Sequence, residues 1–339
     1  MPNDFYGGWG SVPPAAPNYA YEAVQREALK RSEYAQLRKH GNAVGLCLLA
    51  FFGLQYVLSV VLMIFGGGDA YRSSISFAHA VNGLFFSVIA LFVPFFLLSL
   101  RKGSPRYIGV LPFSASKNRL TAVFVIFAGF GICMFSNYVA AFVSDLIQTI
   151  GLEESDIGLT VSASPLDFLL NILCTAALPA LVEEFVFRGV ILQPLRRYGE
   201  HFAVWSTAFV FGLAHGTVTG FAFAFLVGLV LGYAAVLTGS LWPGIIIHFL
   251  NNFYAAVVTD LSSIYPHFGA ILNNIIVYIG LVFGAGALVY LVLSHSIRFE
   301  KGRAKELVKG RRFKGFFLAV PMLLSVAAFL YFILIANLK

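Results

Sequence analysis

Three charged residues lie close together inside an apolar stretch of this chain, Leu-Val-Glu-Glu-Phe-Val-Phe-Arg-Gly at 181–189. Glu184 and Arg188 are four residues apart, so on a helix they share one face and can form an ion pair. Glu183 has no basic residue three or four positions away. An ion pair that joins two helices would explain Glu184 and Arg188 but not Glu183. Glu183 is therefore the first candidate for chemistry.

Two further polar groups interrupt apolar segments downstream. The stretch Phe-Val-Phe-Gly-Leu-Ala-His-Gly at 209–216 contains His215, and the stretch 239–252 contains His248 and Asn252 on one helical face. Each group alone has an ordinary structural explanation, since buried His and Asn side chains often hydrogen-bond between membrane helices.

The depth of these residues below the membrane surface decides whether they can meet. Counted from the nearest polar helix ends at 1.5 Å per residue, Glu183 and His215 lie about 20 Å deep. On the same count His248 and Asn252 lie about 12 to 18 Å deep. Because the depths match, we expect all four side chains to face one cavity.

This set of side chains is suited to hydrolysis of an amide. A carboxylate in an apolar cavity holds a proton more readily than one in water, which suits a general base. Glu183 would deprotonate a water molecule, with His215 orienting the water and sharing the proton. His248 and the Asn252 amide would donate hydrogen bonds to the oxyanion of a tetrahedral intermediate. The neighbouring ion pair would support the helix and its local field.

A metal-dependent alternative uses the same residue types. One Glu and two His also form a zinc-hydrolase ligand set, here Glu183, His215 and His248. The chain has no H-E-x-x-H motif, which is the usual sequence signal for such a site. Zinc therefore stays open as a cofactor, and the glutamate mechanism requires none. The three cysteines lie in apolar segments without paired spacing and are interpreted as small buried residues.

The composition indicates which elements position these residues. Of 339 residues, 59% are hydrophobic and 12% are charged, against about 25% charged in a typical soluble domain. This predicts an all-α membrane protein, a polytopic bundle of eight or nine transmembrane helices with an intramembrane polar cavity. Apolar runs of spanning length occur at 42–66, 76–100, 120–147, 165–190, 202–218, 219–238, 241–260, 270–295 and 316–338.

The distribution of Lys and Arg orients the bundle. They cluster before the first span and in alternate loops, which predicts a cytosolic N-terminus. Residues 1–40 are predicted to be a cytosolic, partly disordered extension, and residues 41–338 the transmembrane bundle. The net charge of +7 lies in loops that flank the membrane. It therefore predicts contact with membrane lipid and gives no argument for nucleic acid.

The three polar groups resemble the motifs of a known family. Glu-Glu-Phe-Val-Phe-Arg is similar to the E-E-x-x-x-R motif of the CPBP family, the CAAX prenyl proteases and bacteriocin-processing enzymes. Phe-Gly-Leu-Ala-His resembles its F-x-x-x-H motif and His-Phe-Leu-Asn-Asn its H-x-x-x-N/D motif. The resemblance covers about 165–260, which would be the protease-like core.

This resemblance implies an intramembrane endopeptidase with Glu183 as catalytic base and His215 as its partner. It places His248 and Asn252 at the oxyanion, with Glu184 supporting. For some members it implies removal of the last three residues of prenylated C-a-a-X proteins. Other members act in bacteriocin immunity or as membrane scaffolds, and members are commonly labelled metalloproteases.

Two alternatives to the protease belong to other functional classes. A proton-coupled transporter would use Glu183, Arg188 and the histidines as a relay. The absence of an internal repeat, and polar groups confined to one half of the chain, argue against it. A non-catalytic scaffold or immunity protein of the same fold is the second alternative. Every hypothesis predicts an integral, multi-pass membrane protein, in the plasma membrane if the source is prokaryotic. The enzyme would act on a peptide or protein substrate, and the resemblance implies a prenylated one for some members.

Overall fold

The chain folds almost entirely into helices, as the composition predicts. The computed structural model describes residues 19–100, 115–116, 118–154, 161–299 and 309–336. Its helices are α1 (Tyr19–Ile64), α2 (Gly67–Ser73), α3 (Ile75–Leu100), α4 (Arg119–Thr149), α5 (Pro165–Arg196), α6 (Glu200–Leu213), α7 (Val218–Thr238), α8 (Trp242–Ile264), α9 (Pro266–Leu293), α10 (Lys309–Phe317) and α11 (Val320–Tyr331), the last extended by a π-helical turn, Phe332–Ala336.

Seven of the described helices are long and apolar enough to cross a membrane. The helices α10 and α11, bent by 81° at a short break, make an eighth span if they are counted together. The ninth span expected at 202–218 is instead α6, which has only 14 residues, and about 20 are needed to cross the hydrocarbon. The structure therefore supports eight transmembrane spans, the lower of the two predicted counts.

The turn between α6 and α7 is held by local hydrogen bonds. The Thr217 hydroxyl caps α7 by accepting from the Gly220 N–H at 2.9 Å. The Glu154 carboxylate, from the segment that follows α4, accepts from the Thr219 N–H at 3.0 Å. Carboxylates favour helix N-termini because unpaired N–H groups point out of them. These bonds fix the position of His215, which lies in this turn.

Helix α5 departs from regular α geometry on both sides of Pro179. Two π-helical segments, Ile172–Ala177 and Glu184–Ile191, flank a short α-helical segment that contains this proline. Proline has no N–H and crowds the carbonyl four residues earlier, which disrupts regular hydrogen bonding. Short π segments are frequent at functional sites.

The first and last helices pack against each other outside the region of the three motifs. Gly41 and Gly45 lie one turn apart on α1, and a Cβ on either would collide with the backbone near Phe316 or Met322. Glycines four residues apart allow such close approach between membrane helices. The Ser325 hydroxyl also donates to the Gly45 carbonyl at 2.9 Å. The C-terminal span is thereby fixed beside α1.

The N-terminal extension is described only in part. Residues 19–40 form the start of α1, which continues without a break into the membrane-spanning part. Residues 1–18 and most of the two basic loops, at 101–114 and 300–308, lie outside the described residues. The cytosolic N-terminus remains a prediction.

Candidate active site

One cavity of about 260 Å³ lies between α5, α6, α7 and α8. The four side chains predicted to do chemistry, Glu183, His215, His248 and Asn252, all line it, which agrees with the depth argument. Glu184 and Arg188 do not line it and are fully buried behind it. The complete lining is Cys174, Thr175, Pro179, Glu183, Phe211, His215, Phe223, Ala224, Val227, His248, Asn251 and Asn252.

The predicted ion pair between Glu184 and Arg188 is present. Arg188 Nη1 lies 2.8 Å from Glu184 Oε1, and neither side chain is exposed. Arg188 Nη2 donates to the Gly228 carbonyl of α7 at 3.2 Å. The guanidinium carbon lies 4.5 Å from the centre of the Phe211 ring of α6, a favourable cation–π geometry. Arg188 thus joins α5 to two neighbouring helices.

Glu184 has a second partner that the sequence did not reveal. His248 Nδ1 lies 3.1 Å from the same oxygen, Glu184 Oε1. Because a carboxylate only accepts hydrogen bonds, Nδ1 carries a proton and donates it. The other ring nitrogen, Nε2, lies 3.8 Å from Oε2 of Glu183. Glu184 therefore orients the His248 ring so that Nε2 is on the side of Glu183.

The close approach of α8 to Glu184 depends on Gly244. A Cβ at this position would lie 2.9 Å from Glu184 Oε2, closer than real side chains allow. Helix α8 begins at Trp242 with Pro243 in its first turn, and Gly244 follows. The sequence Trp-Pro-Gly thus both starts the helix and leaves room for the carboxylate.

The F-x-x-x-H motif orients His215. His215 Nδ1 lies 2.9 Å from the Phe211 carbonyl oxygen, which can only accept, so the imidazole keeps Nε2 available to the cavity. The Phe211 ring packs edge-on against His215, with centroids 4.8 Å apart, and against His248, with centroids 6.0 Å apart. One Phe211 ring thus contacts His215, His248 and the Arg188 guanidinium.

Asn252 is held by a backbone carbonyl of α5. Asn252 Nδ2 donates to the Thr175 carbonyl at 3.1 Å. In a regular α-helix that carbonyl would accept from residue 179, but proline has no N–H. Asn251 Nδ2 in turn donates to Asn252 Oδ1 at 3.2 Å. Thr175, Pro179 and Asn251 were missed, although a proline in an apolar helix and the doubled asparagine were visible signals.

The alternative zinc ligand set does not fit a metal centre. Among the described residues, no three His, Cys, Asp or Glu side chains are placed to hold a metal ion. Glu183, His215 and His248 line one cavity, yet they do not meet as a group that could hold an ion at the bond lengths of about 2.0–2.2 Å that zinc requires. The interpretation as a metalloprotease is therefore not supported, and no catalytic step below uses a metal.

These features define a class: a multi-pass, all-helical membrane protein with buried acid, base and amide groups around an internal cavity. Residues 165–254 match the family described as Rce1-like, type II CAAX prenyl endopeptidase Rce1-like. The match covers 90 of the 339 residues. It agrees with the CPBP resemblance of the three motifs and supports a membrane protease of the CAAX type as the kind of function. It runs from the start of α5 into α8 and includes every motif residue. No curated protein and no solved structure gave a significant match.

Proposed function

We propose that this protein is an intramembrane endopeptidase in which Glu183 activates a water molecule for attack on a peptide carbonyl. The observation that carries the proposal is the shared cavity: Glu183 faces the same space as His215, His248 and Asn252. A carboxylate, two imidazoles and an amide in one membrane-embedded cavity supply a base, a proton partner and oxyanion donors.

Glu183, and not its neighbour Glu184, is the base. The Glu183 side chain is 22% exposed, towards the cavity, whereas that of Glu184 is 0% exposed and is bound by Arg188 and His248. Only Glu183 can therefore contact a water molecule and a substrate together. It takes a proton from the water as the oxygen bonds to the carbonyl carbon.

His215 is the proton partner of Glu183. Its Nδ1 is engaged by the Phe211 carbonyl, so Nε2 can accept a hydrogen bond from the attacking water or receive the proton. The proton is then delivered to the nitrogen of the leaving amine as the C–N bond breaks. Water thus provides the hydroxyl group of the new carboxyl end and the hydrogen of the new amine.

His248 and Asn252 are the oxyanion donors. With a proton on each ring nitrogen, His248 donates through Nδ1 to Glu184 and through Nε2 to the oxyanion. One N–H of Asn252 is held by Thr175, and the second N–H of the same amide is the other donor.

The substrate in this proposal is a peptide at the membrane. In its most specific version, the substrate is a prenylated C-a-a-X protein that loses its last three residues. Phe223, Ala224 and Val227 of α7 give the cavity an apolar wall. Apolar lining with a few polar groups is typical of a site that binds an apolar ligand. The proposal also retains the cytosolic N-terminus, and the plasma membrane for a prokaryotic source.

The test uses the purified protein in proteoliposomes with two peptides of one sequence, prenylated and unmodified at the cysteine of a C-terminal C-a-a-X. Mass spectrometry of the products should show a single internal cleavage, with the prenylated peptide preferred. The variant His215→Ala should insert normally and release no product. If the folded wild-type protein cleaves neither peptide while proteoliposome insertion is intact, the non-catalytic scaffold or immunity protein is favoured.

A further inference from the structure

Asn251 is a cavity residue that takes no part in the proposed hydrolysis steps. Its side chain lines the cavity, and the residue is only 5% exposed. Its Oδ1 atom is buried and has no hydrogen-bond partner among the described residues. A buried amide oxygen without a donor is unfavourable, and such groups in native structures usually have a specific reason.

The orientation of the Asn251 amide follows from its neighbours. The Thr175 carbonyl can only accept, so Asn252 must present its Nδ2 to it, at 3.1 Å. Asn252 then presents Oδ1 to Asn251, and Asn251 donates to it through its own Nδ2, at 3.2 Å. Oδ1 is therefore the atom that Asn251 has left for a ligand.

An amide oxygen binds only hydrogen-bond donors. A peptide that enters the cavity brings one donor in each residue of its main chain except proline, the backbone N–H. Asn251 lies three residues after His248, which is less than one turn along α8. In the proposed mechanism, the carbonyl oxygen of the scissile bond faces His248. A substrate N–H that reaches Asn251 therefore belongs to a residue within two positions of that bond.

We infer that Asn251 is a specificity-determining residue that accepts a hydrogen bond from one main-chain N–H of the peptide substrate, next to the scissile bond. This inference rests on the proposed endopeptidase function. It identifies the substrate class as a peptide with an unpaired, extended main chain at that position. Proline there is excluded, while the side chain at the same position is not selected by this contact.

The experiment replaces single amides of a cleaved peptide by esters, which removes one N–H at a time and leaves the chain length unchanged. Each non-scissile bond within two residues of the cleavage site is replaced in turn. On the wild-type protein, one replacement should lower kcat/KM about tenfold or more, and the others should have small effects. A site built to bind an N–H rejects a ligand that lacks it because its own acceptor is left unpaired.

The variant Asn251→Leu supplies the second half of the test. It removes the acceptor at similar volume, so cleavage of the all-amide peptide should fall about tenfold, and the sensitive ester should bring no further loss. Asn251→Ala serves the same purpose if Asn251→Leu does not insert. The matched control is Asn274→Leu, at an exposed position of α9, which should keep the wild-type ester profile.

Two results would overturn the inference while the proposed function stands. One is a wild-type protein for which no single ester replacement lowers kcat/KM by about tenfold. The other is an Asn251→Leu or Asn251→Ala protein that keeps the full ester penalty. A wild-type protein that cleaves none of the peptides refutes the endopeptidase proposal itself, and the inference with it.

Discussion

The imidazole of His248 and the carboxylate of Glu184 meet across two helices, with Nδ1 of the first 3.1 Å from Oε1 of the second. Arg188 Nη1 lies 2.8 Å from the same oxygen. Glu184 thus holds α5 to α8 and also orients a ring that lines the cavity. Its neighbour Glu183 contacts the cavity and has no such partner closer than 3.8 Å. The two adjacent glutamates therefore have separate tasks.

The same substitution at the two glutamates should have unequal effects on stability. Glu184→Gln leaves the buried Arg188 without a counter-ion, which typically costs about 3–5 kcal/mol of stability. Glu183→Gln changes a group that faces the cavity and should leave stability nearly unchanged. The difference in stability is measured by heating each purified variant in detergent and finding the temperature above which it no longer elutes as a single species from a size-exclusion column. Equal thermal stability of the two variants would refute this division of tasks.

Gly244 should tolerate no side chain. The Cβ of Gly244→Ala would lie 2.9 Å from Glu184 Oε2, so the carboxylate or α8 must shift, and His248 moves with it. Misplacement of catalytic groups by about 1 Å can cost about a hundredfold in rate. We expect cleavage to fall at least tenfold. The control is Gly286→Ala, where an added Cβ meets nothing within 4 Å; similar activity of the two variants would argue against the close approach.

Cys174 lines the cavity but should not act as a nucleophile. Its Sγ packs towards α3, where a Cβ on Gly83 would lie 2.9 Å from the sulfur. Cys174→Ala should therefore keep cleavage within about threefold of the wild-type rate, because water attacks the substrate directly. Steady-state kinetics on the prenylated peptide provide the measurement. Complete loss of cleavage in a well-folded variant would point to a covalent mechanism instead.

Removal of divalent metals should leave cleavage unchanged. The described residues offer no three-ligand metal group, and the proposed steps use only side chains and water. Protein purified with a chelator and analysed for bound zinc should cleave at the rate of untreated protein. A rate that falls with chelation and returns with added zinc would contradict the glutamate mechanism.

Much of the site could be predicted from the sequence because membrane helices obey simple rules. Helical rise and span length set the depths of Glu183 and His215, and four-residue spacing predicts the ion pair of Glu184. The count of eight spans follows from the same rules once the short α6 is recognised. A helix of 14 residues and the turn after it cannot be told from a full span by hydropathy alone.

The contacts that were missed depend on packing between helices. The bond from His248 to Glu184 joins positions 64 residues apart, and no local pattern specifies which faces of α5 and α8 meet. The π segments of α5 also turn its side chains away from the regular 100° spacing. The link from Asn252 to Thr175 joins positions 77 residues apart and likewise depends on the approach of α8 to α5.

The rate of peptide cleavage by Glu183→Gln tests the central claim most directly. The variant keeps the shape of the side chain and loses the base, and general-base catalysis typically contributes about 10²–10⁴-fold. In proteoliposomes, kcat should fall by at least about a hundredfold while the affinity for the uncleaved peptide, measured by binding, stays within about threefold. Cleavage by Glu183→Gln at the wild-type rate would contradict the account.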